Sequence, residues 1–137
     1  MNYGDITYSR LSSHTALTDI VGTRIANTKA EQGYAMPYLV FRHSLTPIYT
    51  HMGGGSSPIK QHEVYVEIRV VTHEDQAITQ AFTIAEEVVS AMVLYTGVDI
   101  LGHHVKNILW KGYDPQVYNE EIKGFETPMN FTMTINL

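Results

Sequence analysis

The sequence predicts an α+β domain: about four mostly antiparallel strands, with one long helix and a short N-terminal helix packed on one face of the sheet. Three patterns carry this expectation. Residues Gln61 to Thr72 alternate, with Val64, Val66, Ile68 and Val70 on one side and Glu63, Tyr65, Glu67 and Arg69 on the other. That is the period of a strand with one apolar face. Residues Phe125 to Leu137 alternate too, with Met129, Phe131, Met133 and Ile135 against Asn130, Thr132, Thr134 and Asn136. Between these strands, Ile78, Ala81, Phe82, Ala85, Val88, Val89 and Met92 recur at three- and four-residue steps, one apolar stripe of a helix over Glu74 to Tyr95.

The remaining elements follow in chain order. Gly4 to Val21 is weakly helical, with Ile6, Leu11, Leu17 and Ile20 sharing part of one face. Interrupting Thr, Ser and His residues suit two short helices, and Gly22 is placed to end the second. Thr23 to Ala26 reads as a short extended piece, and Asn27 to Met36 as a loop. Pro37 opens a strand over Tyr38 to Leu45, whose start is apolar enough to be covered on both faces. Thr46 to Pro58, with its Gly53-Gly54-Gly55-Ser56-Ser57 run, is too long for a tight turn and predicts a protruding loop. Thr72 and Asp75 form a candidate capping pair for the long helix, and Gly97 a candidate stop. At ~1.5 Å per residue that helix would span roughly 33 Å. Val98 to Leu101 and Val105 to Tyr113 read as extended, and Asp114 to Gly124 as a loop. No repeat or linker divides the chain, so residues 1–137 are expected to form one domain.

Composition narrows the function. Of 137 residues, 44% are hydrophobic and 17% charged, against a usual ~25% charged. Such a chain folds, and its surface is cheap to desolvate against neighbours. It has no cysteine, which excludes disulfides, thiolate catalysis and thiolate metal sites. The net charge is -5 and the nine basic residues are scattered, so the electrostatic footprint of a nucleic-acid binder is missing. The first residues lack a basic, apolar leader, and no apolar run approaches the ~20 residues of a membrane helix. The chain is expected to be made and kept inside a cell unless it leaves in a particle, with no membrane partner.

Catalytic and metal patterns are also missing. His103 and His104 are adjacent and point to opposite faces of a strand, while His62 and His73 sit at opposite ends of another. No His-x-x-x-His, His-x-His or Glu-x-x-His spacing occurs among the seven histidines. Glu86-Glu87 and Glu120-Glu121 read as solvated carboxylates without a cleft. The Gly53–Ser57 run precedes a strand rather than a helix, so it does not match a phosphate-binding loop. The sequence therefore predicts no catalytic residue, no metal and no cofactor.

Tyrosine is the unusual component, nine in all. Tyr34, Tyr38, Tyr49, Tyr65, Tyr95, Tyr113 and Tyr118 flank loops or sit on strands, and tyrosine suits protein interfaces by combining area with a polar tip. Tyr65 stands out because it breaks the polar face of its strand. Ile48, Tyr49, His51 and Met52 put an apolar, aromatic stretch on the protruding loop, and Ile59 follows on its far side. These six residues are the interface candidates. A loop folded back over the sheet edge would use the same residues differently.

The stretch Ala16-Leu17-Thr18-Asp19-Ile20-Val21-Gly22-Thr23-Arg24-Ile25 resembles the opening of a family of phage tail-completion proteins, in which a short helix ends in a Val-Gly-x-Arg-Ile-like turn. Glu31-Gln32-Gly33-Tyr34-Ala35-Met36-Pro37-Tyr38-Leu39-Val40 resembles its next signature, Gln-Gly followed by a Leu-Pro-Tyr-Val-like strand start. The later elements follow the family's order over nearly the whole chain. The resemblance implies a tail terminator or tail-to-head joining protein, without catalytic residues. It implies a ring of about six copies at the head-proximal end of a long tail. The implied partners are further copies, the tail-tube protein and a head-completion or connector protein, with genomic DNA passing through unbound. The implied location is the tail-head junction of the virion, and the host cytoplasm during assembly. Alternatives are a neck or minor tail protein of similar fold, or a small ligand-binding or enzymatic domain. The short polar N-terminal helix and the Met52-Gly53-Gly54-Gly55 stretch depart from the family pattern.

Overall fold

The two alternating stretches become the centre of one sheet. A computed structural model describes residues 3–29, 34–45, 49–51, 59–76 and 78–136. Gln61 to Thr72 lies within β4 (Ile59–His73), and Phe125 to Leu137 largely within β8 (Gly124–Asn136). They pair antiparallel without a break from Gln61↔Asn136 to His73↔Gly124. Opposite residues share a face, so Val64 meets Met133, Val66 meets Phe131 and Ile68 meets Met129. All six are buried, and each such side chain contributes about 1.5–3 kcal/mol when fully buried.

The flanking strands are longer than they first look. β2 (Tyr38–Leu45) pairs with β4, and β3 (Tyr49–His51) resumes along the same edge. The register of β3 differs from that of β2 by one residue, Leu45 opposing Val64 and Tyr49 opposing Gln61. On the other side β6 (His103–Tyr113) pairs with β8 through two register shifts, and β7 (Val117–Asn119) resumes that strand inside the stretch expected to be a loop. β1 (Ile25–Asn27) lies parallel to β2, and β5 (Val98–Ile100) antiparallel to β6. Among the described residues the result is a mixed eight-stranded sheet in the order β1-β2-β4-β8-β6-β5, with β3 on β4 and β7 on β8. The expectation of about four strands was therefore too low. The four long strands are present, but β6 shifts register twice against β8, and three-residue strands are too short to alternate visibly.

The weakly helical N-terminal region forms two helices, α1 (Tyr3–Ser12) and α2 (Thr15–Val21). Gly22 ends α2 at φ +60°, its N–H donating to Thr18 O at 2.8 Å. Ile6, Leu11, Leu17 and Val21 join Ile84, Val88 and Met92 of the third helix over Leu39, Phe41 and the β4–β8 apolar rows. All helices thus cover one face, as expected. Polar clasps fix them: Tyr3 OH to His62 Nδ1, Thr7 Oγ1 to His43 Nε2 at 2.9 Å, and His14 Nε2 to Glu87 Oε2 at 2.8 Å.

The long helix is shorter than its stripe. α3 runs Thr79–Met92, 14 residues, or about 21 Å. Glu74–Gln76 forms a 3-10 turn instead, and Thr72 stays buried in β4 with its hydroxyl unpartnered. The expected Thr72–Asp75 cap does not form; Ile78 occupies the cap position without a side-chain bond. At the other end Val93 turns extended and Leu94 exchanges two 2.9 Å backbone bonds with Ile108, so tertiary pairing ends the helix before Gly97.

Candidate subunit interface

The sheet face away from the helices is built by the polar halves of the two alternating patterns. Glu63, Tyr65, Glu67 and Arg69 project from β4, and Asn130, Thr132 and Thr134 from β8. Register aligns them in rows, Arg42↔Glu67↔Asn130 and Ser44↔Tyr65↔Thr132. Thr132 is only 5% exposed although it faces away from the helices, so this face is concave at its centre. Arg42, Ser44, Glu63, Tyr65, Lys111 and Thr132 line a hollow of about 570 Å³. Tyr65 stands in it 48% exposed.

Arg42, Glu67, Arg69 and Glu126 form a charge network beside the hollow. Glu67 Oε1 accepts from Arg42 Nη2 at 2.9 Å and from Arg69 Nε at 2.7 Å. Arg69 Nη1 reaches Glu126 Oε2 at 3.4 Å. The hydrogen bond that Arg69 donates to Glu67 raises the Arg69 pKa above its ordinary value, against an opposing effect of burial. Burial, and next the charge of Glu126, raise that of the Tyr38 phenol. Glu67 thus sits between two guanidiniums. The hollow thus sets an exposed tyrosine among mixed polar and apolar groups beside a charge network, a composition of the kind found at protein surfaces that meet.

The sequence candidates gather in part. Register alone places positions 49, 51 and 59 on the same side of the ladder as position 65, because Tyr49 opposes Gln61 and His51 opposes Ile59. Ile48 and Met52 lie outside the described residues. The arginine–glutamate network was not anticipated; the opposite charges at Glu67 and Arg69 were its only sequence signal. The histidines are dispersed: His62 beneath α1, His14 on Glu87, and His104 on Asp99 at 2.8 Å. Among the described residues no group of three or more His, Asp or Glu could hold a metal, and no helix is long and apolar enough to cross a membrane.

No protein-family model matches the sequence, and no curated protein matches it. Solved structures do match the fold. A chain from the virion of a native gene transfer agent particle superposes with a TM-score of 0.66 at 17% identity, over 96% of this chain and 92% of that one. A second solved structure, which carries no functional name, gives a TM-score of 0.67 at 14% identity, over 100% of this chain and 97% of its own. The α+β fold is therefore one that this chain shares, end to end, with a virion component.

Proposed function

We propose that this chain is a structural, non-catalytic protein of a phage-like particle. It forms a ring of about six copies at the head-proximal end of a tail, ends growth of the tail tube and joins the tail to the head connector. The observation that carries this reading is the whole-length fold match to a gene transfer agent virion chain. The sequence resemblance to tail-completion proteins supports the finer placement. So does the open sheet face, where Tyr65 shares one side of the ladder with positions 49, 51 and 59 of the hairpin.

On this reading the partners are further copies of the chain, the tail-tube protein and a head-completion or connector protein. The site is the tail-head junction, after assembly in the host cytoplasm. A net charge of -5 keeps the ring from holding DNA that must slide through it. The test is light scattering over a wide concentration range, with negative-stain imaging of the same sample. Closed rings with a central hole are expected, and at one end only when tail tubes are added. A chain that neither forms rings nor caps tubes would overturn the proposal.

A further inference from the structure

We propose that copies of this chain associate head to tail, the N-terminal end of α3 on one copy seating against the β5 edge of the next. This rests on the reading of the chain as a self-assembling particle protein, and it names the two surfaces that meet.

The apolar stripe of α3 is wider than the core it covers. Ala81, Ile84, Ala85 and Val88 are buried, but Ile78 is 72% exposed and Phe82 38%. Both were expected in the core. Phe82 instead meets Tyr113 edge to face at 5.4 Å between ring centroids, Tyr113 meets Trp110 at 4.8 Å, and Trp110 meets the buried Phe131 at 5.2 Å. A continuous aromatic stack therefore runs from the core to solvent and ends at Phe82 and Tyr113. Ile78 lies one turn from Phe82 along the helix. Single exposed apolar residues are ordinary, whereas a contiguous set marks an interaction surface.

A second apolar set lies past the other end of α3. Tyr95 is 82% exposed and Leu101 60%, with Val98 also exposed between them. They lie in and on either side of β5, which borders β6 and ends the sheet order among the described residues, so its outer backbone edge is open to a partner. The length of α3, about 21 Å, separates the two sets. Two different surfaces on one molecule favour a heterologous contact, which closes into rings or runs on as filaments.

Charge disfavours the like-to-like arrangement. Residues 74–92 carry Glu74, Asp75, Glu86 and Glu87 and no lysine or arginine. Residues 94–107 carry one lysine, Lys106, and one carboxylate, Asp99, so the β5 end has no net formal charge. Two copies meeting by their acidic ends would repel, whereas unlike ends meet without that cost.

Ile78→Asp and Leu101→Asp each spoil one surface at an exposed position, so both variants should melt like the wild type. Light scattering is then read on the wild type, on each variant alone and on their equal mixture. The wild type should associate, and each variant should associate on the order of tenfold more weakly or not at all. The mixture should recover a dimer of one copy of each, because each variant keeps the surface that the other lacks. Variants that assemble like the wild type, or a mixture that stays monomeric, would overturn the pairing while leaving ring formation standing. A wild type that is monomeric throughout yet caps tail tubes also overturns the pairing, but not the proposed function.

Discussion

Thr7 Oγ1 lies 2.9 Å from His43 Nε2, joining α1 to a strand 36 residues further along the chain. The ring of His43 also meets Phe41 edge to face. Burial lowers the His43 pKa from its ordinary 6.5. The unfolded chain therefore binds this proton more readily than the folded one. The stability that His43 contributes is full above pH ~6.5 and is lost as pH falls from there through the folded value. Denaturant unfolding between pH 8 and pH 5 should show this decline, and His43→Gln should flatten it. An unchanged slope in the variant would assign the decline to other groups.

Glu67 is the shared acceptor for Arg42 and Arg69. Glu67→Gln leaves two guanidiniums side by side without their carboxylate. A loss of about 1 kcal/mol is expected at low salt, shrinking as salt screens the charges. Urea melts at two ionic strengths measure both.

Gly124 opposes His73 where the chain turns into β8. A Cβ there would meet the Thr72 carbonyl oxygen at 2.5 Å and Met36 Sδ at 2.8 Å. The backbone oxygen cannot move aside as a side chain could. Gly124→Ala should cost about 1–3 kcal/mol, read as a lower melting temperature.

Val88 is fully buried under α3. Val88→Asp puts an unpaired charge in the core and should remove about 4 kcal/mol or more, enough to unfold a marginal domain. A soluble variant with a normal melt would show that this face of α3 is not core.

Tyr65→Ser, and separately the double change Tyr49→Ser with Met52→Ser, should leave circular dichroism and melting unchanged yet weaken assembly. Normal ring formation by all these variants would remove the open sheet face and the hairpin from the interface.

The fold was legible where one physical constraint dominated. β4 and β8 each bury one face, so Val64 to Val70 and Met129 to Ile135 announce themselves by period. β1 and β5 fall where short extended pieces were read, but they pair over three residues each, too few for a period that would have marked them as strands of the sheet. The ends of α3 were misread because tertiary contacts set them: Leu94 is captured by Ile108, and Glu74 is held by the Tyr118 hydroxyl at 2.8 Å. Ile78 and Phe82 continue the same stripe as Val88, and sequence cannot tell a core residue from an interface residue when both need to be apolar. Tyr65 was legible because it interrupts a charged row. The rest of the Glu67 charge network was not, because Arg42, which donates to Glu67, and Glu126, which accepts from Arg69, lie on other strands.

The unbroken β4–β8 seam has a kinetic consequence. Gln61 and Asn136, which close its far end, are 75 residues apart in sequence. Contacts of that range require a large loop to close before they repay its entropy, which slows folding. On the ribosome, the earlier strands and α3 must wait with the seam face of β4 unpaired until β8 emerges. Since Phe131 of β8 anchors the aromatic stack that ends at Phe82, a nascent chain cannot present that surface. On the proposed pairing, competence to assemble would arrive together with the final strand, and a growing polypeptide would be protected from premature association.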